Sequence, residues 1–428
     1  MVVLKKLLNT ISEKILASKN TQNNEHEKNN TGPLSGLRVL DLSRILAGPT
    51  CTQLLGDYGA DVIKVEKPGK GDDTRAWGPP FAFDKDGNPS PESGYYLASN
   101  RNKRSIAIDI STKEGVKVIK NLLPHCDVLI ENFKVGSLRN YGLDYQALSS
   151  EFPELIYCSI TGFGQIGPNA HKAGYDLIAQ GFSGLMSITG EQGGEPMKVG
   201  VAVSDILCGL YACTAILAAL QRRNSTGEGQ QIDIGLVDSQ IASLVNMGTN
   251  YFLSKKDQER VGNQHPNIVP YQVFEVSDGH LIVAVGNDSQ FEKLCKIFNR
   301  TDLAVDIKYS KNINRVANRT DLIAILSNEF KKYTKDHLIK EMEKLKIPGG
   351  PINKLSEVFS SDQVSAREMK ISMKNEHVKG GSVDLIGNPV KFSKTPVSYR
   401  SPPPSCGQHT DEILSEFQVF HTDNKSKK

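Results

Sequence analysis

Residues 36–66 decide the fold: Gly36-Leu-Arg-Val-Leu-Asp-Leu-Ser43, a turn Ile45-Leu-Ala-Gly-Pro49, then Thr50 to Tyr58, and after Gly59 the run Ala60-Asp-Val-Ile-Lys-Val-Glu66. The first run reads as a short buried strand ending at Ser43. Thr50 to Tyr58 reads as a helix that Gly59 stops, and Ala60–Glu66 as a second strand. Strand, helix, strand at this spacing is a βαβ unit, which implies a parallel sheet.

The pattern recurs downstream. Ser105 to Asp109 reads as a strand, and Ser111-Thr-Lys-Glu114 is a capping box for a helix reaching Leu123. Strands follow at Asp127–Glu131 and Leu155–Ile160. The first 160 residues are therefore α/β of doubly wound character. A nicotinamide-binding domain needs GxGxxG directly after the first strand. The turn reads Arg44-Ile-Leu-Ala-Gly-Pro-Thr-Cys-Thr52, without those glycines, so nicotinamide binding is rejected.

From Gly162 to Gly200 the chain is glycine-rich and irregular, as where backbone approaches a ligand or simply turns. A long slim helix, Ile206 to Arg223, comes next. Gln231–Gly235 reads as a strand and Val237 to Ser254 as a second apolar helix. Tyr271–Val276 and Leu281–Val285 flank the turn Ser277-Asp-Gly-His280, a hairpin signal. Helices are expected at Gln290–Phe298, Thr320–Tyr333 and Lys335–Leu345. The expected organisation is a large Rossmann-like domain over 34–229, a smaller α+β domain over 230–345, and a segment 346–428 that returns to the first.

Composition narrows the function classes. Lys plus Arg is 51 against 48 Asp plus Glu, a net charge of +3 over 428 residues. That lacks the basic excess of a dedicated nucleic-acid binder. The longest uncharged apolar stretch, Ile206–Leu220, is shorter than the roughly 20 residues of a membrane span, so membrane insertion is not expected. Seven scattered Cys without a CxxC pair argue against a disulfide framework or structural zinc. Residues 1–33 differ from the rest. Leu4, Leu7, Leu8, Ile11 and Ile15 share a helical face, lysines lie on the others, and an Asn-rich stretch follows. This suits a mitochondrial transit peptide, hence a matrix location, although Arg enrichment is missing and a tail without function fits the same pattern.

Asp205, at the head of the long helix, reads in two ways. It can cap the helix, or it can serve as a nucleophile, since a carboxylate attacks an activated carbonyl to give a mixed anhydride. Asp176, in Gly174-Tyr-Asp-Leu-Ile, is equally open to a capping or a site role. The run Asn100-Arg-Asn-Lys-Arg-Ser105 is a solvated basic loop or a phosphate contact through Arg101, Lys103 and Arg104. The nine His form no metal-ligand spacing, and neither a G-x-S-x-G elbow nor a P-loop occurs. No metal is expected.

Taken together, Gly36–Pro49, Gly59–Arg75, Asn102–Ile106, Asp127–Phe133, Gly174-Tyr-Asp176, Ser204–Ala212, Thr226–Gln230, Ile347–Ile352 and Gly407–Leu414 resemble the class III CoA-transferases, in that family's order over 34–420. The segments Asp72–Phe81, Ile156–Gln165, Ser183–Gly190 and Ile268–Phe274 are similar to the branch that moves CoA from succinyl-CoA to a free dicarboxylic acid such as glutarate.

The resemblance implies Asp205 as nucleophile, with aspartyl anhydride and aspartyl-CoA intermediates, CoA thioesters as substrates and no permanently bound cofactor. The helix N-terminus is then expected to keep Asp205 ionised. It implies CoA contacts at Ile45, Leu46, Ala47, Lys67, Asn132 and Phe133, with Arg139 next to the position of an expected Arg. Asp176 falls on the family's second acid. Gly286-Asn287 is the nearest match to its anhydride-shielding glycine loop. Arg75, Arg101 and Arg104 are the cations open to the acceptor's second carboxylate. Partners would be a second copy of the chain, as two interlocked rings. Two alternatives share the fold or ligand. One is an acyl-CoA racemase, against which stands Tyr175 where racemases carry His. The other is a non-catalytic CoA-binding protein, against which stands Asp205 itself.

Overall fold

The computed structural model describes residues 32–419, so nearly all of the expected transit segment 1–33 lies outside the described residues. The chain divides into two units, one of residues up to 179, 202–243 and from 367 on, the other of 180–201 and 244–366.

The first unit is built on the opening βαβ. Strand β1 (Arg38–Asp41) leads through a turn into helix α1 (Ala47–Asp57) and strand β2 (Asp61–Glu66). Then come β3 (Lys103–Ala107), helix α2 (Lys113–Leu122), β4 (Val128–Glu131), β5 (Ile156–Thr161), helix α3 (Asp176–Phe182), whose last three residues are counted with the second unit, helix α4 (Val203–Thr226) and β6 (Gln230–Gly235). The six strands form one sheet in the order β3-β2-β1-β4-β5-β6, every neighbouring pair parallel. This order belongs to doubly wound nucleotide-binding sheets, which reverse direction beside β1. The central strands are buried on both faces, which is why they read as continuous apolar runs rather than alternating ones.

Helix α4 is 24 residues long, and among the described residues it alone is long and apolar enough to cross a bilayer by length and composition. The uncharged stretch 206–220 is its interior, and the helix extends beyond it at both ends. It packs on α1 with Cys208, Gly209, Ala212, Cys213, Ile216 and Ala219 buried. Gly209 makes the close approach possible. A Cβ there would sit 2.6 Å from the Ala47 carbonyl oxygen and 3.0 Å from the Thr50 Cβ.

The residues from 367 on cover the β3 edge. The Ser105 N–H donates to His409 Nδ1 at 3.1 Å, and the Ala107 N–H to Thr410 Oγ1 at 3.0 Å. An edge that would otherwise expose unpaired amides is thus closed from within the chain.

In the second unit, β7 (Tyr271–Val276), β8 (Gly279–Ala284) and β9 (Gly349–Pro351) form an antiparallel sheet. Phe274 stacks on Phe330 with ring centroids 4.2 Å apart, in a core shared with Phe291 and Phe298. Arg315 is fully buried yet satisfied, donating to the Val269 and Tyr309 carbonyls and to Asp288 at 2.7–2.8 Å.

Three expectations are corrected. Residues 230–235 are not part of the small domain. They are β6, the far edge of the large sheet, paired with β5 from Gln230 to Gly235. The small unit takes in 180–201 and runs to 366 instead of ending at 345. The single helix expected over 237–254 is two, α5 (Leu236–Ala242) and α6 (Val245–Ser254), broken where Val245 takes φ +45°.

Candidate active site

In a doubly wound sheet, ligands bind outside the carboxyl ends of the strands where the order reverses. Here that point lies between β1 and β4, so the turn after β1 and the residues after β4 face one crevice end. The two are tied together. The Arg44 N–H donates to Asn132 Oδ1 at 2.9 Å, and Asn132 Nδ2 donates to the Arg44 carbonyl at 2.7 Å. On either side, Lys64 Nζ donates to the Ser43 carbonyl at 2.9 Å, and the Ile45 N–H reaches both Asp72 oxygens at 3.2 Å. Ile45 has φ +74°. A β-branched residue in the left-handed region costs about 1–3 kcal/mol and persists only where its surroundings enforce it.

Asp72 itself is buried. It meets fully buried Lys64 at 2.9 Å and accepts from the Thr74 N–H at 3.0 Å and the Thr74 hydroxyl at 2.8 Å. Although burial works against the charge, Lys64 and these donors outweigh it and bring the carboxyl down to about 2. A folded value below the unfolded one stabilises the fold above the unfolded value, and the gain is lost as pH falls. Asp72 is therefore expected to contribute on the order of 2 kcal/mol that disappears between about pH 4 and pH 2. Acid unfolding of Asp72→Asn beside wild type checks this, the variant showing a shallower loss over that window.

Asp205 is the third residue of α4, with 8% of its surface exposed. It is not the N-cap, because the helix begins at Val203. The capping role falls to Asp176, the first residue of α3, whose Oδ1 accepts the Ser204 N–H at 2.8 Å. The Ser204 hydroxyl in turn donates to Gln240 of α5 at 2.8 Å. Gly162 and Gly174 bring Asp176 in by letting two loops touch. A Cβ on Gly174 would run into the Gly162 Cα.

The helix end is not the largest influence on the charge of Asp205. Burial, and then the negative charge of Asp176, push its carboxyl up to about 7. The charges of this pair reach as far as Tyr95. Its hydroxyl is raised to about 12 by burial and then by the charges of Asp205 and Asp176. Its ring stands edge-on to Trp77 at 5.3 Å. A buried carboxylate with a second acid beside it, at the crevice side of a parallel sheet, suits attack on an activated acyl group.

The sequence model of the family described as CoA-transferase family III matches residues 34–410. The chain belongs to CoA-transferase family III. It is 49% identical to the succinate–glutarate CoA-transferase of Agrobacterium fabrum, over 92% of this chain and 97% of that protein. It is 45% identical to the succinyl-CoA:glutarate CoA-transferase of Homo sapiens, over 92% of this chain and 87% of that one. Among solved structures it is similar to a CAIB/BAIF family protein from Brucella suis, with a TM-score of 0.79 and 47% identity, covering 90% of this chain and 99% of the other.

Within this CoA-transferase the sequence-predicted site residues divide. Ile45, Leu46, Ala47, Asn132 and Phe133 meet at the crevice, and Arg44 stacks its guanidinium 5.6 Å from the Phe133 ring centroid. Lys67 is exposed just past β2. Asn132, however, spends its amide on the β1 turn.

The basic run is corrected, because its cations are engaged internally. Arg101 holds Asp57 through Nε at 2.9 Å and Nη2 at 2.6 Å, and donates to the Ile386 carbonyl. Lys103 is fully buried against the Pro49 carbonyl at 3.0 Å and Asn100 at 2.9 Å, and burial pushes its ammonium down to about 8. Arg104 pairs with Asp61, Glu412 and Glu416. Arg75 is closed in the same way by Glu66, Tyr96 and the Pro404 carbonyl. Arg139 is 70% exposed, 3.6 Å from Asp144. Gly286 and Asn287 lie in the second unit. There Asn287 caps the helix Asp288–Ile297 through the Gln290 N–H.

Sequence reasoning missed Tyr95, Trp77, Ser204 and Gln240. The Ala-Trp-Gly of 76–78 enters the sequence reading only through a resemblance, and a Tyr on a four-residue helix leaves no periodic signal.

Proposed function

We propose that this CoA-transferase moves CoA from succinyl-CoA to glutarate, with Asp205 as the covalent carrier. The observation that carries the reading is Asp205 itself, a buried carboxylate next to the Ser204 amide that Asp176 accepts, in a chain 45–49% identical to relatives named for this exchange. An Asp205 oxygen attacks the thioester carbon, the C–S bond breaks, and CoA thiolate leaves a succinyl–aspartyl anhydride. Thiolate then attacks the aspartyl carbonyl and expels succinate, giving aspartyl-CoA. A glutarate carboxylate displaces the thiolate to form a second anhydride, and thiolate attack on its glutaryl carbonyl releases glutaryl-CoA and Asp205. Each step exchanges one acyl bond for another, so the CoA thioester is the only group carried. The Ile45–Ala47 turn, Phe133 and Lys67 are the CoA contacts in this reading. Incubation with succinyl-CoA and glutarate should yield glutaryl-CoA by mass spectrometry; no product with any dicarboxylate would sink the assignment.

The raised carboxyl of Asp205 gives a pH prediction. Attack needs the ionised form, so kcat/KM should rise about tenfold per unit below pH 7 and level off above it. A profile already flat from pH 5.5 to 8 would contradict it.

The chain is also proposed to pair with a second copy and to work in the mitochondrial matrix. Exposed Leu177, Ile178, Leu210, Tyr211 and Ile241 on α3, α4 and α5 support the pairing. Light scattering should then return roughly twice 46.9 kDa. The lysine-bearing amphipathic pattern of the first residues supports the location. Sequencing the mature N-terminus from isolated mitochondria tests it, and an uncleaved Met1 in the cytosolic fraction would refute it.

A further inference from the structure

The polar groups under the β1 turn do more than fill the space. Three consecutive residues are gripped from three sides: Ser43 by Lys64 of β2, Arg44 by Asn132 after β4, and Ile45 by Asp72 after β2. Together they hold Ile45 at φ +74°, a shape this side chain does not choose for itself. The turn runs straight into α1, whose Ala47 carbonyl lies against Gly209, one helical turn beyond Asp205. The position of the turn is therefore coupled by contact to the helix that carries the nucleophile.

We propose that Asp72 is a positioning residue for acyl-CoA. Its carboxylate, seated on Lys64 and aided by Asn132, locks the Ser43–Ile45 turn in the strained form against which the CoA chain is laid. This rests on the reading that the Ile45–Ala47 turn contacts CoA. Without the clamp, Ile45 relaxes toward negative φ and the turn leaves its place. Glycine takes positive φ without strain, so a glycine turn no longer needs the clamp to reach the shape. That asymmetry separates positioning from simple structural support.

The test uses the full chain as wild type, Asp72→Asn, Ile45→Gly and the double variant. Affinity for free CoA is read by calorimetry, turnover by steady-state kinetics, and stability by thermal unfolding. Asp72→Asn should weaken CoA binding and raise the succinyl-CoA KM about tenfold, with kcat within about threefold. Within the Ile45→Gly background, Asp72→Asn should change the affinity by less than about threefold while still lowering thermal stability. If Asp72→Asn does not fold, Asn132→Ala is put to the same comparison in the two backgrounds. A folded clamp variant with wild-type CoA affinity, or an Asp72→Asn loss as large in the Ile45→Gly background as in the Ile45 one, overturns the proposal. Wild type that binds CoA but forms no glutaryl-CoA would refute the proposed reaction alone, leaving the affinity ratio to decide the clamp. Wild type that binds no CoA would refute both.

Discussion

Asp205→Asn is expected to cut CoA exchange by about four orders of magnitude while leaving CoA affinity within about threefold. The substitution is isosteric, so the packing around the head of α4 is kept. What disappears is the oxygen nucleophile, and no other carboxylate replaces it. Asp176 is committed to the Ser204 N–H at 2.8 Å. Stability separates this outcome from damage to the fold. Asp205 is buried beside a like charge, and no hydrogen bond to its carboxylate is found among the described residues. Removing that charge should leave the midpoint of unfolding unchanged or higher. The check is acyl-CoA mass spectrometry with intact-mass control for deamidation. Near-normal turnover by a variant whose intact mass still shows the side-chain amide would reassign the nucleophile, as would hydroxylamine trapping on Asp176.

Arg101→Met should do the opposite, costing about 3–5 kcal/mol of stability with little change in the succinyl-CoA KM of the folded fraction. Asp57 is completely buried, and Arg101 meets both of its oxygens. Asn102 and Asn388 also donate to Asp57, at 2.8 and 2.9 Å, but neither neutralises it. Removing the guanidinium strands a buried charge on α1, whose other end carries the β1 turn. Chemical denaturation with parallel kinetics measures both quantities. A large rise in KM with unchanged stability would restore Arg101 to the CoA-binding role suggested by its sequence.

That contrast marks where the sequence speaks and where it stops. The buried strands β1, β2, β4 and β5 are legible from their short cores of Val, Leu and Ile, although buried charges such as Lys64 and Glu66 sit within or at the end of them. Asp205 is legible by type and place, but not by charge state. A helix N-terminus favours the carboxylate, while burial and Asp176 disfavour it more, and both depend on packing that residue order does not display. The cations of 101–104 mislead for a related reason. Their partners Asp57, Asp61 and Glu416 lie 44, 43 and 312 residues away, so the run looks like a free basic patch. The edge strand β6 is easily given to the wrong domain because the chain passes from the sheet into α6 with only α5 between.

The closing of the β3 edge by the last described residues bears on biosynthesis. Arg104 must wait 312 residues for Glu416, and Ser105 waits 304 for His409. At about 10 residues per second, that is on the order of half a minute of translation. During it the nascent sheet carries an uncovered edge and charges that await their partners. Such an intermediate invites a chaperone, and a ribosome-stalled chain ending near residue 400 is expected to be cut by protease at sites the finished protein shields. Equal protection of the stalled chain and of a chain that also carries residues 401–428 would show that the edge is guarded some other way.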